Sequence, residues 1–512
     1  MKAIYISFLL FLSAACQLAA QSPEPDRTKQ YLQLHQQTWL QEYLTFVRIP
    51  NTPLNQTNQD LNSAFIIDMM RKTGIENIQL LKADVTGVPP AIYGEVNVPG
   101  AKRTIVFYAH YDGQPVDSTK WLPGWHPFRP LIIDGTPASG FKVITDIEKL
   151  NSLSPEWRIT GRGSADDKAG VFAIIKAFQT LKELGQLPTV NLRFFFEGEE
   201  ELGSTHLPNI LTRHAALLKS DGWVICDGPE HPSGLPQLFL GVRGDAGMEL
   251  TVYGSNRPLH SGHYGNWAPN PAHLLSHLLA SMKDLDGKVL IQHFYDSITP
   301  LTAKEKTALL ALPKMDEQLK KTFGFRRSEA PQRGLSASIL QPSLNINGIQ
   351  SAATGSGASN IIPSIATATL DLRLVPGIDC EVQQQRIEAH IRKQGYFITR
   401  DTPTTAQRNT YEKIIQVRRK SGYNAQKTPI YHPFAAGVIE ALQLHTQQKL
   451  LVVPLMGGSL PLYMFEKYAA AYPITVPIAN YDNNQHAENE NLRLGNLWSG
   501  IEKMAALMRM KP

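Results

Sequence analysis

Residues 194–204 read FFFEGEEELGS, an apolar run of β character that breaks into four glutamates, Glu197, Glu199, Glu200 and Glu201, inside five positions. A buried strand end cannot hold so many carboxylates unless protons or a cation neutralise them. The run itself decides the fold class. Continuous short apolar stretches are expected of strands covered on both faces, and two others match it, residues 104–109 (TIVFYA) and 223–226. Residues 169–184 and 207–220 carry helical spacing between and after them. This alternation predicts an α/β layer structure with a mainly parallel sheet, in which sites form beyond the carboxyl ends of the strands.

Working outward, a polar helical pattern covers residues 28–49 and the α/β alternation holds from about Glu76 to Asp245. There the period changes. Residues 247–253 and 365–374 alternate apolar and polar positions, as half-exposed strands do, and helical patterns lie at 270–284 and 379–393, with a looser stretch at 323–334. From about Tyr411 the first pattern resumes. The expected organisation is a larger domain built from residues 27–245 and 403–512, with a smaller α+β domain, residues 246–402, inserted into it.

The bulk properties narrow the function classes. With 512 residues the chain exceeds one ordinary core, and 42% apolar with 19% charged residues is a globular composition. A formal charge of +5 with no Lys/Arg block or basic helix argues against nucleic acid as a partner. At the amino terminus, Lys2 precedes the apolar residues 3–12, too few to span a bilayer, and then come Ser13, Ala14, Ala15, Cys16 and Leu18-Ala19-Ala20-Gln21. This reads as an export signal over residues 1–20, implying a periplasmic or secreted protein with no transmembrane segment in the mature chain. Lipid attachment at Cys16 is the competing route, but it favours an aliphatic residue three positions earlier, where Ser13 stands. Beyond the signal only Cys226 and Cys380 remain, enough for one bridge and no disulfide framework.

Candidate chemistry sits at the strand ends. HYDG (110–113) follows the first strand, GRGSADDK (161–168) precedes a helix, the glutamate cluster ends the next strand, and Asp227-Gly228 follows the third. His486 lies far downstream in NNQHAENE. Two imidazoles with several carboxylates suit Zn²⁺ or another first-row ion, and shared carboxylates suit a two-metal hydrolytic site. No serine or cysteine lies in a nucleophile-elbow context.

Together HYDGQP, GRGSADDK, EGEEELGS, LHSGHYG, NIIP, RLVP, GGSLP and the late histidine resemble one family. It is that of the co-catalytic zinc metallopeptidases, which includes glutamate carboxypeptidase, acetylornithine deacetylase, succinyl-diaminopimelate desuccinylase and carnosinase, and the layout is nearest the carnosinase-like branch. The resemblance spans nearly everything after the signal. It implies two divalent ions, zinc foremost with manganese or cobalt as alternatives, held by His110, Asp166, Glu201, Asp227 and His486, with Asp166 bridging. It further implies Glu200 as general base and Asp112 as the carboxylate orienting the His110 side. His260 resembles a histidine that reaches the partner subunit's site, and Asn360 holds a substrate-contacting position. Arg373 looks like the arginine that pairs with a substrate carboxylate, with Gly458 and Ser459 beside the same anion. These assignments imply a homodimer formed through the inserted lid.

The expected activity is hydrolysis of a peptide or amide bond in a small substrate with a free carboxylate, of dipeptidase or carboxypeptidase type. Two departures widen it. Met456 stands where the carnosinase-like branch has an acid before Gly-Gly-Ser, and Asn360 replaces a threonine of that branch. N-acyl amino acid deacylation is therefore the alternative, and an exported non-catalytic binding protein on the same fold is the reading from a different class. The two-zinc aminopeptidases share a His-x-Asp start but lack such a lid. Asp167 competes with Asp166, and His432 stays an undecided candidate.

Overall fold

The computed structural model describes residues 27–511 apart from Leu54 and Asn151. The expected signal at 1–20 and the lipidation candidate Cys16 lie outside the described residues. An eight-stranded sheet forms the centre of the larger domain, in the order Glu76–Leu81, Ala91–Val96, Asn191–Glu197, Thr104–His110, Gly222–Ile225, Pro473–Thr475, Gln237–Phe239 and Leu451–Val453. The four middle strands run parallel, and the strands outside them enter antiparallel. Phe194, Phe195 and Phe196 are fully buried, because helices cover both faces of the sheet. The continuous apolar run reflects that double burial.

The inserted domain carries a five-stranded sheet in the order Ser343–Gln350, Ile365–Leu374, Gly244–Tyr253, Ile414–Arg419 and Phe397–Thr399. Burial alternates strictly along Ile365–Leu374, and the buried side packs with helices Pro271–Met282 and Cys380–Lys393 into a separate core. One expectation is corrected here. Ile414–Arg419 pairs antiparallel with Gly244–Tyr253, so the lid sheet extends past residue 403. A short apolar run such as IIQV reports burial without reporting which sheet buries it, so the expected boundary at 403 falls short of the last lid strand.

Two further features escaped the periodicities. Short helices Ala303–Leu310, Asp316–Phe323 and Leu335–Ile339 form an arm between the lid's helices and its edge strand. A four-stranded sheet, ordered Asn491–Arg493, Arg158–Thr160, Ile132–Thr136 and Gly140–Ile144, pairs Asn491 with Thr160 across more than three hundred residues of chain. That pairing carries the His486 loop to the GRGSADDK loop. Cys226 and Cys380 are both buried and free, so the one conceivable bridge is absent.

Candidate metal centre

Because Asn191–Glu197, Thr104–His110 and Gly222–Ile225 run parallel and adjacent, their carboxyl ends open on one edge. His110 is the last residue of its strand, Asp227 lies two beyond the end of the next, and the glutamates continue from the third. Asp166 and Asp167 arrive from the turn before helix Lys168–Glu183, and the peptide bond between them is cis. Helix and strand end meet closely there. A methyl group at Gly170 would collide with Cys226 O and the Asp167 carboxylate, so only glycine permits the approach.

Asp166 has one oxygen on each histidine: Oδ1 lies 3.0 Å from His110 Nε2 and Oδ2 lies 3.1 Å from His486 Nε2. His486 Nε2 is also 3.4 Å from Glu201 Oε2, and His110 Nε2 is 3.7 Å from Asp227 Oδ2 and 3.9 Å from Glu200 Oε2. Two groups of three donors result. Ligand atoms of Asp166, Glu201 and His486 lie within 4.8 Å of one another, as do those of His110, Asp167 and Asp227. Asp167 falls inside the second group by distance, yet its oxygens already accept the Gly170 N–H at 3.0 Å and the His110 N–H at 3.3 Å. It caps the helix. It is also buried.

The charges ask for a cation. Burial, reinforced by Asp166, pushes Glu201 up to about 8 and Asp227 up to about 6. Glu200 is raised well above the usual carboxylate range, chiefly by burial and then by Glu201 and Asp227 against the counteracting His110. Burial opposes protonation of His110, but hydrogen bonds from its ring to the Asp112 and Asp166 carboxylates outweigh it and raise its pKa well above the usual value. Two imidazoles with the Asp166 carboxylate between them and further acids around both fit divalent metal ions.

The lid divides its residues between two places. Arg373 Nη1 donates to Ser459 Oγ at 2.9 Å, and both border, with Gly458, a cavity of about 810 Å³ that also reaches Asp166, Glu200, Asp227 and His486. Arg373 is meanwhile 3.2 Å from Asp371 and 3.5 Å from Asp245. His260 pairs with Ile361 in the strand pair Leu259–His260 and Ile361–Ile362, Asn360 immediately precedes the second strand, and both are exposed and outside that cavity. His432 is elsewhere. It caps helix Pro433–His445 and stacks on Tyr472 with ring centroids 3.8 Å apart.

Sequence reasoning missed several supports. Glu490, fully buried, accepts from the N–H groups of Ala165 (2.8 Å), Asp166 (3.1 Å) and Gly163 (3.1 Å) and from Arg162 Nη1 (2.8 Å), fixing the loop that presents Asp166. Its one signal was the acidic character of NNQHAENE. Gln114, from HYDGQP, donates to Glu201 Oε2 at 2.8 Å. Glu197 and Glu199, which the sequence marks as scaffolding of the cluster and not as its ligands, were not missed: Glu197 accepts from the Tyr108 hydroxyl at 2.7 Å and Glu199 meets His206 at 2.8 Å. Arg243 also borders the cavity, with Nη2 on Ser343 Oγ at 2.8 Å and its Nε buried without a hydrogen-bond partner. His486 takes a φ of 61°, a left-handed value uncommon for a side-chain-bearing residue and frequent at functional sites.

Residues 106–510 match peptidase family M20/M25/M40. The chain belongs to that family. Among family relatives, human Beta-Ala-His dipeptidase is 25% identical over 99% of this chain and 97% of its own length, and Cys-Gly metallodipeptidase dug1 of Schizosaccharomyces pombe is 27% identical over 85% of each. Among solved structures, the M20 family metallo-carboxypeptidase Sso-CP2 of Sulfolobus solfataricus superposes with a TM-score of 0.73 at 25% identity, covering 92% of this chain and 98% of that one. Human carnosine dipeptidase 1 superposes at 0.74 with 22% identity, covering 95% and 99%, which shows the shared fold. This M20 family member is a metal-dependent hydrolase.

Proposed function

We propose that the protein hydrolyses the amide bond of a dipeptide or N-acyl amino acid whose leaving half carries a free carboxylate, using two divalent ions, zinc foremost. The observation that carries this reading is Asp166, with one carboxylate oxygen on each of two histidines and further acids around both. His110 and Asp227 would hold one ion, Glu201 and His486 the other, and Asp166 both. Two such ions supply a water of lowered pKa and polarise the scissile carbonyl.

The chain's own residues do the rest. Glu200 reaches the cluster without belonging to either donor group, which suits a base that takes the proton from water and passes it to the departing amine. Asp112 accepts the backbone N–H groups of both Glu200 and Glu201 and lies 3.3 Å from His110 Nδ1, so it orients base and ligand together. Arg373, Gly458 and Ser459 offer a guanidinium, a backbone N–H and a hydroxyl to the substrate carboxylate. His260 and Asn360, exposed and outside the cavity, suit contacts made across a homodimer. Residues 1–20 support export, which the mass of the mature chain recovered from its host tests.

The deciding experiment is Glu200→Gln in metal-loaded protein. It should keep two ions per chain while kcat falls by about two to four orders of magnitude, and stripping the wild type with a chelator should abolish turnover until metal is restored. Near-normal turnover in the variant, or indifference to the chelator, would remove the mechanism.

A further inference from the structure

The cavity at the metal centre has two unlike walls. One carries Arg373 and Ser459; the other is built by the arm of short helices through Leu309, Leu312, Met315, Leu319, Phe323 and Ile339. The arm is pinned. Glu305, 1% exposed and held in a capping box with Thr302, pairs with Lys427 at 2.8 Å, and Lys449 Nζ donates to Ala311 O at 2.8 Å. Both lysines lie beyond the lid sheet, in the chain's return to the larger domain, so the apolar wall spans the two domains.

This wall closes on the metal cluster itself. A methyl group at Gly457 would lie 3.1 Å from Ile339 Cδ1, and one at Gly228, next to Asp227, would lie 3.4 Å from Met456 Sδ. Of the carboxylates bordering the cavity, Asp166, Glu200 and Asp227 form the cluster, Glu230 is ion-paired with Lys503, and Asp316 accepts the Leu335 N–H at 2.7 Å. The Met456 thioether beside Gly228 and the Ile339 side chain beside Gly457 thus form an apolar edge where a substrate ammonium would need an anion. Phe323 remains 67% exposed although it borders the cavity, an apolar ring only partly covered by protein.

We propose that this arm forms a subsite for a bulky apolar group on the acyl side of the scissile amide. The inference rests on the carboxylate-binding role given above to Arg373: with the leaving half's carboxylate there, the acyl half takes the remaining space, and that space is walled by the arm. Apolar area removed from water on both partners drives the contact. The chemistry is shared by a large apolar aminoacyl residue and by a fatty or aromatic acyl chain.

Two substrate series separate these sources: glycyl, alanyl, leucyl and phenylalanyl glycine, and acetyl, hexanoyl and octanoyl glycine. Within at least one series kcat/KM should rise by about tenfold or more with apolar size. Leu319→Asp combined with Phe323→Asp, on one face of helix Asp316–Phe323, should erase that rise while the smallest substrate keeps its rate within about twofold. Glu200→Gln protein loaded with zinc gives a readout independent of turnover, since its affinity for the same compounds, measured by calorimetry, should climb in the same order. Turnover that is flat with size in both series overturns the subsite and leaves the hydrolase reading standing. Affinity rising with size in the absence of any turnover supports the subsite and sinks the hydrolase reading. A size preference unchanged in the double variant also overturns the assignment to the arm.

Discussion

The Glu200 backbone N–H donates to Asp112 Oδ1 at 3.2 Å, while Glu201 uses the other oxygen of the same carboxylate at 3.0 Å. Asp112 therefore sets the register of the glutamate cluster, since a shift by one residue would place a different side chain over His110. Its own placement follows from His110, two residues earlier at a strand end. Glu200 and Glu201 are thereby coupled to His110 through the backbone.

Asp112→Asn should keep the fold but present an amide N–H₂ to one of those two donors. We expect kcat to fall by about 10–100-fold with a loss of bound metal, as for other partners of metal ligands. Kinetics combined with metal counting checks it. Unchanged kcat and full metal content would show that Asp112 is dispensable.

Glu490→Gln should be costly. It removes the charge facing buried Arg162 and turns an acceptor of three backbone N–H groups partly into a donor. Breaking one side of a buried pair costs about 3–5 kcal/mol. Denaturant unfolding should show that loss, and the ion assigned to Asp166, Glu201 and His486 should be held more weakly.

Arg373→Ala should raise KM for substrates with a free carboxylate by about 10–100-fold, the scale of hydrogen bonds to charged groups. The matching carboxamides should be hydrolysed alike by variant and wild type. Arg373→Lys should restore only part of the loss, because an ammonium lacks the two parallel donors. A KM that ignores the substrate carboxylate would reassign the residue.

Acid should loosen the lid at Glu388. Burial alone would raise this carboxyl, but hydrogen bonds from Arg419 (2.7 Å) and Arg400 (2.9 Å) outweigh it and bring the pKa from 4.5 to about 2. A depressed folded-state pKa means stability present above the unfolded value and lost as pH falls through the folded one. The difference in Tm between wild type and Glu388→Gln should therefore be constant above about pH 5 and vanish toward pH 2. A difference that persists at pH 2 would place the effect outside the ion pairs.

How much was legible follows from the kind of signal each residue leaves. Strands such as Thr104–His110 and Asn191–Glu197 and helix Lys168–Glu183 announced themselves by unbroken burial or helical period, and the polar residues ending them stood out by contrast. The end of the lid was not legible at residue 403, because strand Ile414–Arg419 joins the lid sheet through hydrogen bonds between distant backbones. Glu490 and Arg243 left almost no trace. Their roles lie in which N–H groups and hydroxyls happen to be near them.

The sequence alone determined the α/β class, the inserted lid and the identity of the polar residues at the strand ends, since each depends on local period and composition. Tertiary structure decided what those residues do to one another. Only folding brings His486 to 3.1 Å from Asp166, gives Asp167 to the helix cap, separates His260 and Asn360 from the cavity, and lays the apolar arm beside Met456. Electrostatic and hydrogen-bond roles fall off over a few ångströms. Distances of that size between residues hundreds of positions apart exist only in the folded chain.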